Sequence, residues 1–262
     1  MSLGLNLLVS AGVVLAVMVA AFAVSLARGR FDTVDTVWGL GFAVVAVVSC
    51  VIADGDLALR LVTTALAVVW GVRLAVHLHL RNRGKPEDRR YVAIMERARD
   101  NPRPRMFVRV FLVQAAVLWF VSLPVQAAQH ADSFGVLAWA GVAVWAVGFG
   151  FEAVGDYQLK VFANDPATQG EVLDTGLWRH TRHPDYFGDA AVWWGLYLLA
   201  CATWAGAATV LSPIAMTCTL AKGTGKPLTE EHLSASRPGY AEYVARTSGF
   251  FPLPPKRKQG AS

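Results

Sequence analysis

Long uncharged stretches alternate with short polar segments along the chain. Stretches such as Ser2–Ala27, Thr36–Ala53 and Val110–Ala131 contain no Lys, Arg, Asp or Glu, and each is close to the roughly 20 residues that an apolar helix needs to cross a bilayer. The pattern predicts an all-α, polytopic integral membrane protein with about seven transmembrane helices. Their expected positions are 3–27, 34–54, 57–80, 106–129, 133–162, 187–203 and 205–222.

The last two predicted helices come from one uncharged run, 190–221, which is longer than a single crossing needs. Trp204-Ala205-Gly206, near its middle, is the expected tight turn between them. Residues 1–262 are expected to form a single membrane domain, with a basic C-terminal tail over 250–262.

Composition supports a membrane protein and charge gives its orientation. The chain is 55% hydrophobic and only 16% charged, whereas soluble domains carry about 25% charged residues. All but two of the 24 Lys and Arg residues lie on or beside the segments after predicted helices one, three, five and seven. The positive-inside rule places those segments in the cytoplasm and the N-terminus outside. The net charge of +5 therefore reflects topology, and no nucleic-acid partner is expected.

Cysteine and histidine offer no recognisable metal or disulfide pattern. The three cysteines lie inside apolar stretches, so neither a disulfide framework nor a CxxC motif is available. The chain has six histidines, and His130 is expected on the side opposite the others near the cytoplasm. We expect no metal site.

Ionisable groups inside predicted spans are the first candidates for function, because burying them in lipid is costly unless they face a cavity or a partner. The alternative is a purely structural role, in which these groups pair between helices or extend their charged ends to the membrane surface. Several share helical spacing of i, i+4 or i+8, and all are expected at one depth. They are Asp35; Arg73 and His77; Glu152, Asp156 and Lys160; and Asp185 and Asp189, whose spacing the aromatic residue Trp193 continues.

The densest polar segment runs from Asp174 to Asp189. Pro184 stands where a helix could begin, and Arg179 and Arg182 flank the approach to its N-terminus. Helix N-termini attract anions through their N–H groups and dipole. A phosphate-bearing cofactor would suit this arrangement.

The segment Leu177–Asp189 (LWRHTRHPDYFGD) resembles the bacterial branch of the steroid 5α-reductase family. Asp35-Thr36-Val37-Trp38-Gly39 and Arg237-Pro238-Gly239-Tyr240 extend the resemblance, which covers residues 30–256. The Arg-His-Pro-x-Tyr core also occurs in sterol reductases and in isoprenylcysteine and phospholipid methyltransferases.

The resemblance implies a seven-helix reductase of the bacterial cell membrane. Such an enzyme holds NADPH at the cytoplasmic ends of its helices and reduces a carbon–carbon double bond conjugated to a carbonyl in a lipid-like substrate, such as a steroid, an isoprenoid or a fatty acyl chain. It would be an oxidoreductase acting on CH–CH groups. The residues that match the family's cofactor contacts are Asp156, Arg179, His180, Arg182, Asp185, Tyr186, Asp189, Tyr240 and Tyr243.

The catalytic group stays open. Steroid enzymes polarise the steroid carbonyl with a tyrosine of the third span, and near that position this chain has Trp70-Gly71. Reduction of an enone needs a donor beside the carbonyl oxygen and a proton for the neighbouring carbon, and Asp35, Arg73 or His77 could supply them. Two alternatives remain: a methyltransferase that uses S-adenosylmethionine on a lipid or prenylated substrate, and a non-catalytic lipid-binding subunit.

Overall fold

The computed structural model describes residues 1–97, 101–223 and 225–256. Within these residues every regular element is a helix, and an isolated parallel bridge joins Thr181 to Ser248. The expected fold class, an all-α polytopic membrane protein, is confirmed.

The long helices follow the apolar stretches of the sequence closely, because an apolar stretch must be long enough to cross the bilayer as a helix. A π-helical stretch, 107–112, interrupts the fourth apolar segment, and short 3-10 turns cover 166–168, 176–179 and 208–210. The α-helices are α1 Leu3–Arg28, α2 Thr33–Ile52, α3 Leu57–Asn82, α4 Arg89–Glu96, α5 Pro102–Met106, α6 Val113–Val121, α7 Leu123–Ala128, α8 Val136–Asn164, α9 Pro184–Ala200, α10 Trp204–Ala207, α11 Leu211–Lys222, α12 Lys226–Ser236 and α13 Tyr240–Arg246.

Six helical stretches of the described chain are long and apolar enough to cross a membrane. They are α1, α2, α3, Pro102–Ala128, α8 and Trp204–Lys222. The helix expected at 187–203 is present as α9, but its 17 residues make it shorter than the other six. The number of seven spans therefore stays a prediction.

The turn between the last two apolar helices lies a few residues before its predicted position. Trp204 and Gly206 are helical in α10, and the chain turns at residues 201–203 instead. Thr203 begins α10 by accepting a hydrogen bond from the Gly206 amide at 3.0 Å. A hydroxyl at this N-cap position satisfies an amide that the first helical turn leaves without a partner.

The chain divides into two compact units, each described separately. The first unit comprises Met1–Trp139 and Leu196–Ser212, and the second comprises Ala140–Gly195 and Pro213–Ser262. In the first unit, α2 and α3 approach closely at Gly39 and Gly71, where a Cβ on either glycine would collide with the backbone of the other. Small residues allow such close helix packing in membrane proteins.

Glycines also bring α8 and α9 together within the second unit. A Cβ at Gly188 of α9 would lie 2.5 Å from the Gly148 carbonyl oxygen of α8. About two turns further along α8, Gly155 faces Pro184, the first residue of α9. The predicted helix start at Pro184 is confirmed, and its ring is seated against α8.

The end of the described chain packs onto the polar segment that precedes α9. Thr181 Oγ1 donates to the Phe250 carbonyl at 2.8 Å, and the Leu253 amide donates to the His180 carbonyl at 3.0 Å. Residues 250–256 of the predicted basic tail are therefore packed against the polar segment before α9, within the second unit. Residues 257–262 lie outside the described residues.

Candidate functional site

Asp35 is the centre of a charged cluster in the first unit. It lies in the first turn of α2, and its Oδ1 accepts a hydrogen bond of 2.6 Å from the Tyr91 hydroxyl on α4. Arg90 lies 3.8 Å from Oδ2, too far for a hydrogen bond. Oδ2 is buried and accepts no hydrogen bond from any described residue. A carboxylate oxygen in this condition is unusual in a folded interior and can receive a donor from a ligand.

The loop between α1 and α2 fixes the position of Asp35. The backbone amides of Phe31 and Asp32 donate to the carboxylate of Glu87 at 2.7 and 2.9 Å. This bidentate contact ties the start of α2 to the segment that leads into α4, and so places Tyr91 beside Asp35. Burial and the charge of Asp35 raise the pKa of the Tyr91 hydroxyl well above its usual range, so this hydroxyl stays protonated and acts as a donor.

Arg73 and His77 lie half-buried on α3, on the helix face that also carries the fully buried Trp70. The Trp70 ring meets Phe42 of α2 edge-on, with 5.6 Å between ring centroids. Both ionisable side chains interact with other residues of the protein. The expected one-face arrangement of Trp70, Arg73 and His77 on a single helix follows from the continuous helical backbone of α3.

Arg182 is the centre of a second polar cluster, which lies in the second unit. Its side chain is only 9% exposed. Its Nε donates to Glu230 of α12 at 2.8 Å, and its Nη1 donates to the carbonyls of Thr247 at 2.6 Å and Val244 at 3.2 Å. The guanidinium therefore ties α12 and the end of α13 to the segment before α9.

His183 shares Glu230 with Arg182. Its Nε2 lies 3.2 Å from Glu230 Oε1, and its ring stacks on Tyr186 with 5.1 Å between centroids. Burial, followed by the nearby cation Arg182, lowers the pKa of His183 to about 4, against the opposing pull of Glu230. Burial alone would raise the pKa of Glu230, but Arg182 holds it below its usual value. At neutral pH the cluster thus contains a neutral imidazole beside an Arg–Glu ion pair.

A cleft of about 150 Å³ opens beside this cluster, within the second unit. Trp178, Arg182, Tyr240 and Tyr243 line it together with Arg237, which sequence analysis had not assigned a role. Tyr243 is held in place because its hydroxyl donates to the Trp178 carbonyl at 2.6 Å. Burial, with the charge of Glu230, raises the pKa of Tyr240 to about 12. The lining thus combines two arginines and aromatic rings with two carboxylates, Asp165 and Glu171.

The comparison with family models gives one result. A model described as "Protein of unknown function (DUF1295)" matches residues 21–247. The chain belongs to this family. No curated protein and no solved structure matches it.

The DUF1295 match contains every residue of the two clusters and every predicted site residue, so both clusters lie within the region that defines the family. The described residues contain no group of three His, Cys, Asp or Glu side chains placed to hold a metal ion.

The other predicted cofactor residues differ in their surroundings. Asp156 is buried on α8, one turn after the buried Glu152, while Arg179 and His180 are exposed and do not line the cleft. Asp185, Tyr186 and Asp189 are half-buried on the first turns of α9. Of the predicted set, the structure brings Arg182, Tyr240 and Tyr243 into one cleft.

Three important residues were missed by sequence reasoning. Tyr91 lies in the basic segment between α3 and α5, from which no candidate residue was selected. Glu230 and Arg237 lie on and after α12, in a stretch without a membrane pattern. A tyrosine alone among charged residues was the one signal available for Tyr91. Glu230 offered none, because its role depends on a partner 48 residues away.

Proposed function

We propose that the chain is an NADPH-dependent membrane reductase that acts on a carbon–carbon double bond conjugated to a carbonyl in a lipid-like substrate. The observation that carries the proposal is the cleft of the second unit, which combines Arg182 and Arg237 with Trp178, Tyr240 and Tyr243. Arginines suit phosphate groups, and aromatic rings suit the flat base of a nucleotide. The sequence resemblance to steroid 5α-reductases supports the same cofactor.

The cleft fits one end of NADPH. Its volume of about 150 Å³ is below the roughly 300–1,000 Å³ of pockets for whole ligands, so we assign it to the phosphate-bearing end. Arg237 is the best phosphate ligand there, since its guanidinium pairs with no described residue. Arg182 already serves Glu230 and two carbonyls, so it would position the cleft and add its charge. NADPH, when bound, would supply the hydride.

The first unit carries the groups that would act on the carbonyl. The Tyr91 hydroxyl is a protonated donor, and Asp35 holds it by a 2.6 Å hydrogen bond. The hydroxyl has a single proton, so it could polarise an enone oxygen or deliver a proton once it turns from Asp35 towards the substrate. We add Tyr91 to Asp35, Arg73 and His77 as a proposed catalytic residue. The apolar exposed faces of the spanning helices suit a substrate and partners drawn from membrane lipids.

The test is ligand binding to the purified protein in detergent. We expect NADPH to raise the thermal unfolding midpoint and bind more tightly than NADH, while S-adenosylmethionine has no effect. Arg237→Gln should weaken NADPH binding by about tenfold, the loss of one charge-assisted contact. Arg103→Gln, an exposed arginine of the first unit, is the control.

The outcomes separate the three candidate functions. Binding of S-adenosylmethionine without NADPH would favour a methyltransferase, and binding of neither would favour a lipid-binding subunit. A greater loss for Arg179→Gln than for Arg237→Gln would place the phosphate outside the cleft.

We propose that the N-terminus is outside the cell and that the C-terminus and both clusters are cytoplasmic. The support is the distribution of Lys and Arg. Cysteines placed at Asp56 and Asp132 should react with an impermeant thiol reagent added to intact cells, and a cysteine at Lys256 should react only after lysis, in a background without the three native cysteines. The reverse pattern would contradict this orientation and remove the site from cytosolic NADPH.

A further inference from the structure

A second cleft, of about 90 Å³, lies in the first unit where α1 ends, α2 begins and α3 ends. Its lining contains the cations Arg28, Arg30 and Arg83, together with His79, against the single carboxylate Asp32. Neither Asp35 nor Tyr91 lines it. The cleft is therefore an additional feature of the first unit, and its lining has an excess of positive charge.

The single carboxylate of this cleft is already neutralised. Arg30 forms an ion pair with Asp32, and its Nη1 donates to the Lys85 carbonyl at 2.7 Å. The Asp32 amide is held by Glu87. Arg30 and Asp32 thus pair with each other in the lining, and the charges of Arg28 and Arg83 remain available. Neither forms an ion pair with a residue in the described parts of the chain.

Polar donors complete the lining. Thr33, Thr36 and Asn82 contribute hydroxyl and amide groups, and Arg28 Nη1 reaches only as far as Thr33 Oγ1, at 3.5 Å. Two arginines with hydroxyl and amide donors between them are the typical ligands of a phosphate group. The cleft is small, about 90 Å³, which suits a small anionic group such as a phosphate.

The helix surface next to the cleft is apolar and exposed. Val76 and Leu80 lie at i and i+4 on one face of α3 and are 52% and 51% exposed, and Arg83 is the first residue after the helix. On α1, Leu26 is exposed two residues before Arg28. At the ends of membrane-spanning helices such side chains meet lipid chains. A molecule with a phosphate in the cleft could thus lay an acyl chain along Val76 and Leu80.

We propose that this cleft binds the phosphodiester of an anionic phospholipid, with phosphatidylglycerol as the model ligand. Arg28 and Arg83 bind the phosphate, Thr36 and Asn82 add hydrogen bonds, and the Val76–Leu80 face contacts an acyl chain. A free phosphate ion would use only the polar half of this arrangement. The site requires neither NADPH nor turnover, so it stands or falls separately from the reductase activity.

The test measures phospholipid binding to delipidated protein in a neutral detergent by native mass spectrometry. The ligands are phosphatidylglycerol, phosphatidylcholine with the same chains, and inorganic phosphate. The variant is Arg28→Gln with Arg83→Gln. The matched control is Arg89→Gln with Arg103→Gln, which removes the same charge from two exposed positions of the first unit outside the cleft.

We expect the cleft variant to bind phosphatidylglycerol about tenfold more weakly than the parent, while the control variant binds it like the parent. Phosphatidylcholine should bind weakly to all three proteins. Equal losses in both variants would overturn the site in favour of diffuse attraction, and equal binding of the two lipids would overturn the role of charge. Displacement of phosphatidylglycerol by equimolar inorganic phosphate would overturn the lipid assignment.

The unfolding midpoint without lipid checks that the variants are folded. If the double variant fails this check, the single Arg28→Gln, at an exposed position, replaces it, with an expected loss of about threefold. Unchanged phosphatidylglycerol binding by that variant would overturn the proposal.

Discussion

Asp35 and Arg182 are both charged residues in largely buried positions, yet their surroundings differ. Two nitrogens of the Arg182 guanidinium have protein partners: Nε donates to the carboxylate of Glu230, and Nη1 donates to the carbonyls of Thr247 and Val244. Asp35 has one strong partner, Tyr91, and a second carboxylate oxygen without a hydrogen bond. Different sequence criteria selected them: Asp35 was chosen as an ionisable group at a predicted span, and Arg182 as a cation near a helix N-terminus and by resemblance.

This difference separates a structural role from a chemical one. A buried charge whose counter-charge is supplied by the protein holds its partners together, and the protein loses stability when that counter-charge is removed. A buried charge with an unused acceptor has capacity left for a ligand. We therefore expect variants of the Arg182 cluster to affect folding first, and variants of the Asp35 cluster to affect turnover first.

The largest effect is expected for the Asp35–Tyr91 pair. Tyr91→Phe and Asp35→Asn should each slow single-turnover oxidation of bound NADPH by about 10²–10⁴-fold if the pair delivers the proton, because the hydroxyl or its orienting carboxylate is lost. NADPH affinity should be nearly unchanged. The substrates are a panel of enone lipids, and Tyr157→Phe, at an exposed tyrosine, is the control.

Two results would contradict a chemical role for the Asp35–Tyr91 pair. Parent-like turnover of both variants would show that the acid lies elsewhere, with His77→Ala as the next variant to measure. Loss of NADPH binding in both would assign the pair to the cofactor instead.

A smaller effect, on stability, is expected at Glu230. Glu230→Gln leaves Arg182 buried without its counter-charge, and we expect a loss of about 3 kcal/mol in the free energy of unfolding. Glu231→Gln, the exposed neighbour on α12, should change it by less than about 0.5 kcal/mol. The measurement is the unfolding midpoint in detergent. Equal midpoints for the two variants would show that Arg182 does not depend on its partner, as a ligand-binding arginine would not.

The sequence predicted the helices well because one physical quantity, the length of apolar chain that spans a bilayer, determines them. The predicted 57–80 corresponds to Leu57–Asn82, and 133–162 corresponds to Val136–Asn164. The turn at 201–203 was placed wrongly because the surrounding run has no change of polarity. The signal for a turn at this point was the hydroxyl of Thr203, which begins α10.

The sites were predicted only in part, for a reason that the two clusters share. Asp35, Arg182, Tyr240 and Tyr243 were selected by charge, spacing or resemblance. Their partners Tyr91 and Glu230 lie 56 and 48 residues away, in segments without a periodic pattern. Such pairings are properties of the tertiary fold. The sequence therefore identified which groups needed partners, and left the partners themselves to the structure.

The smallest expected effect is a dependence of stability on pH that arises in the Arg182 cluster. His183 has a pKa of about 4 in the folded protein because it is buried, against about 6.5 when unfolded. Above pH 6.5 the imidazole is neutral in both the folded and the unfolded state, so it does not change the free energy of unfolding. As the pH falls from 6.5 towards 4, the unfolded state binds the proton and the folded state does not, so stability decreases.

Between pH 7.5 and 5.5 the expected loss from His183 is about 1 kcal/mol. The lowered pKa of Glu230 acts in the same direction but only below the ordinary pKa of a glutamate, about 4.5, so the two pH windows separate.

Unfolding midpoints measured between pH 7.5 and 5.5 should decline for the parent and for His180→Gln, since His180 is exposed. His183→Gln should flatten the decline. A parent profile that stays flat to pH 5.5 would mean that the imidazole takes up its proton in the folded state, with Glu230 as its counter-ion. The cluster would then hold an acid of its own, and the division of roles between Arg182 and Asp35 would fail.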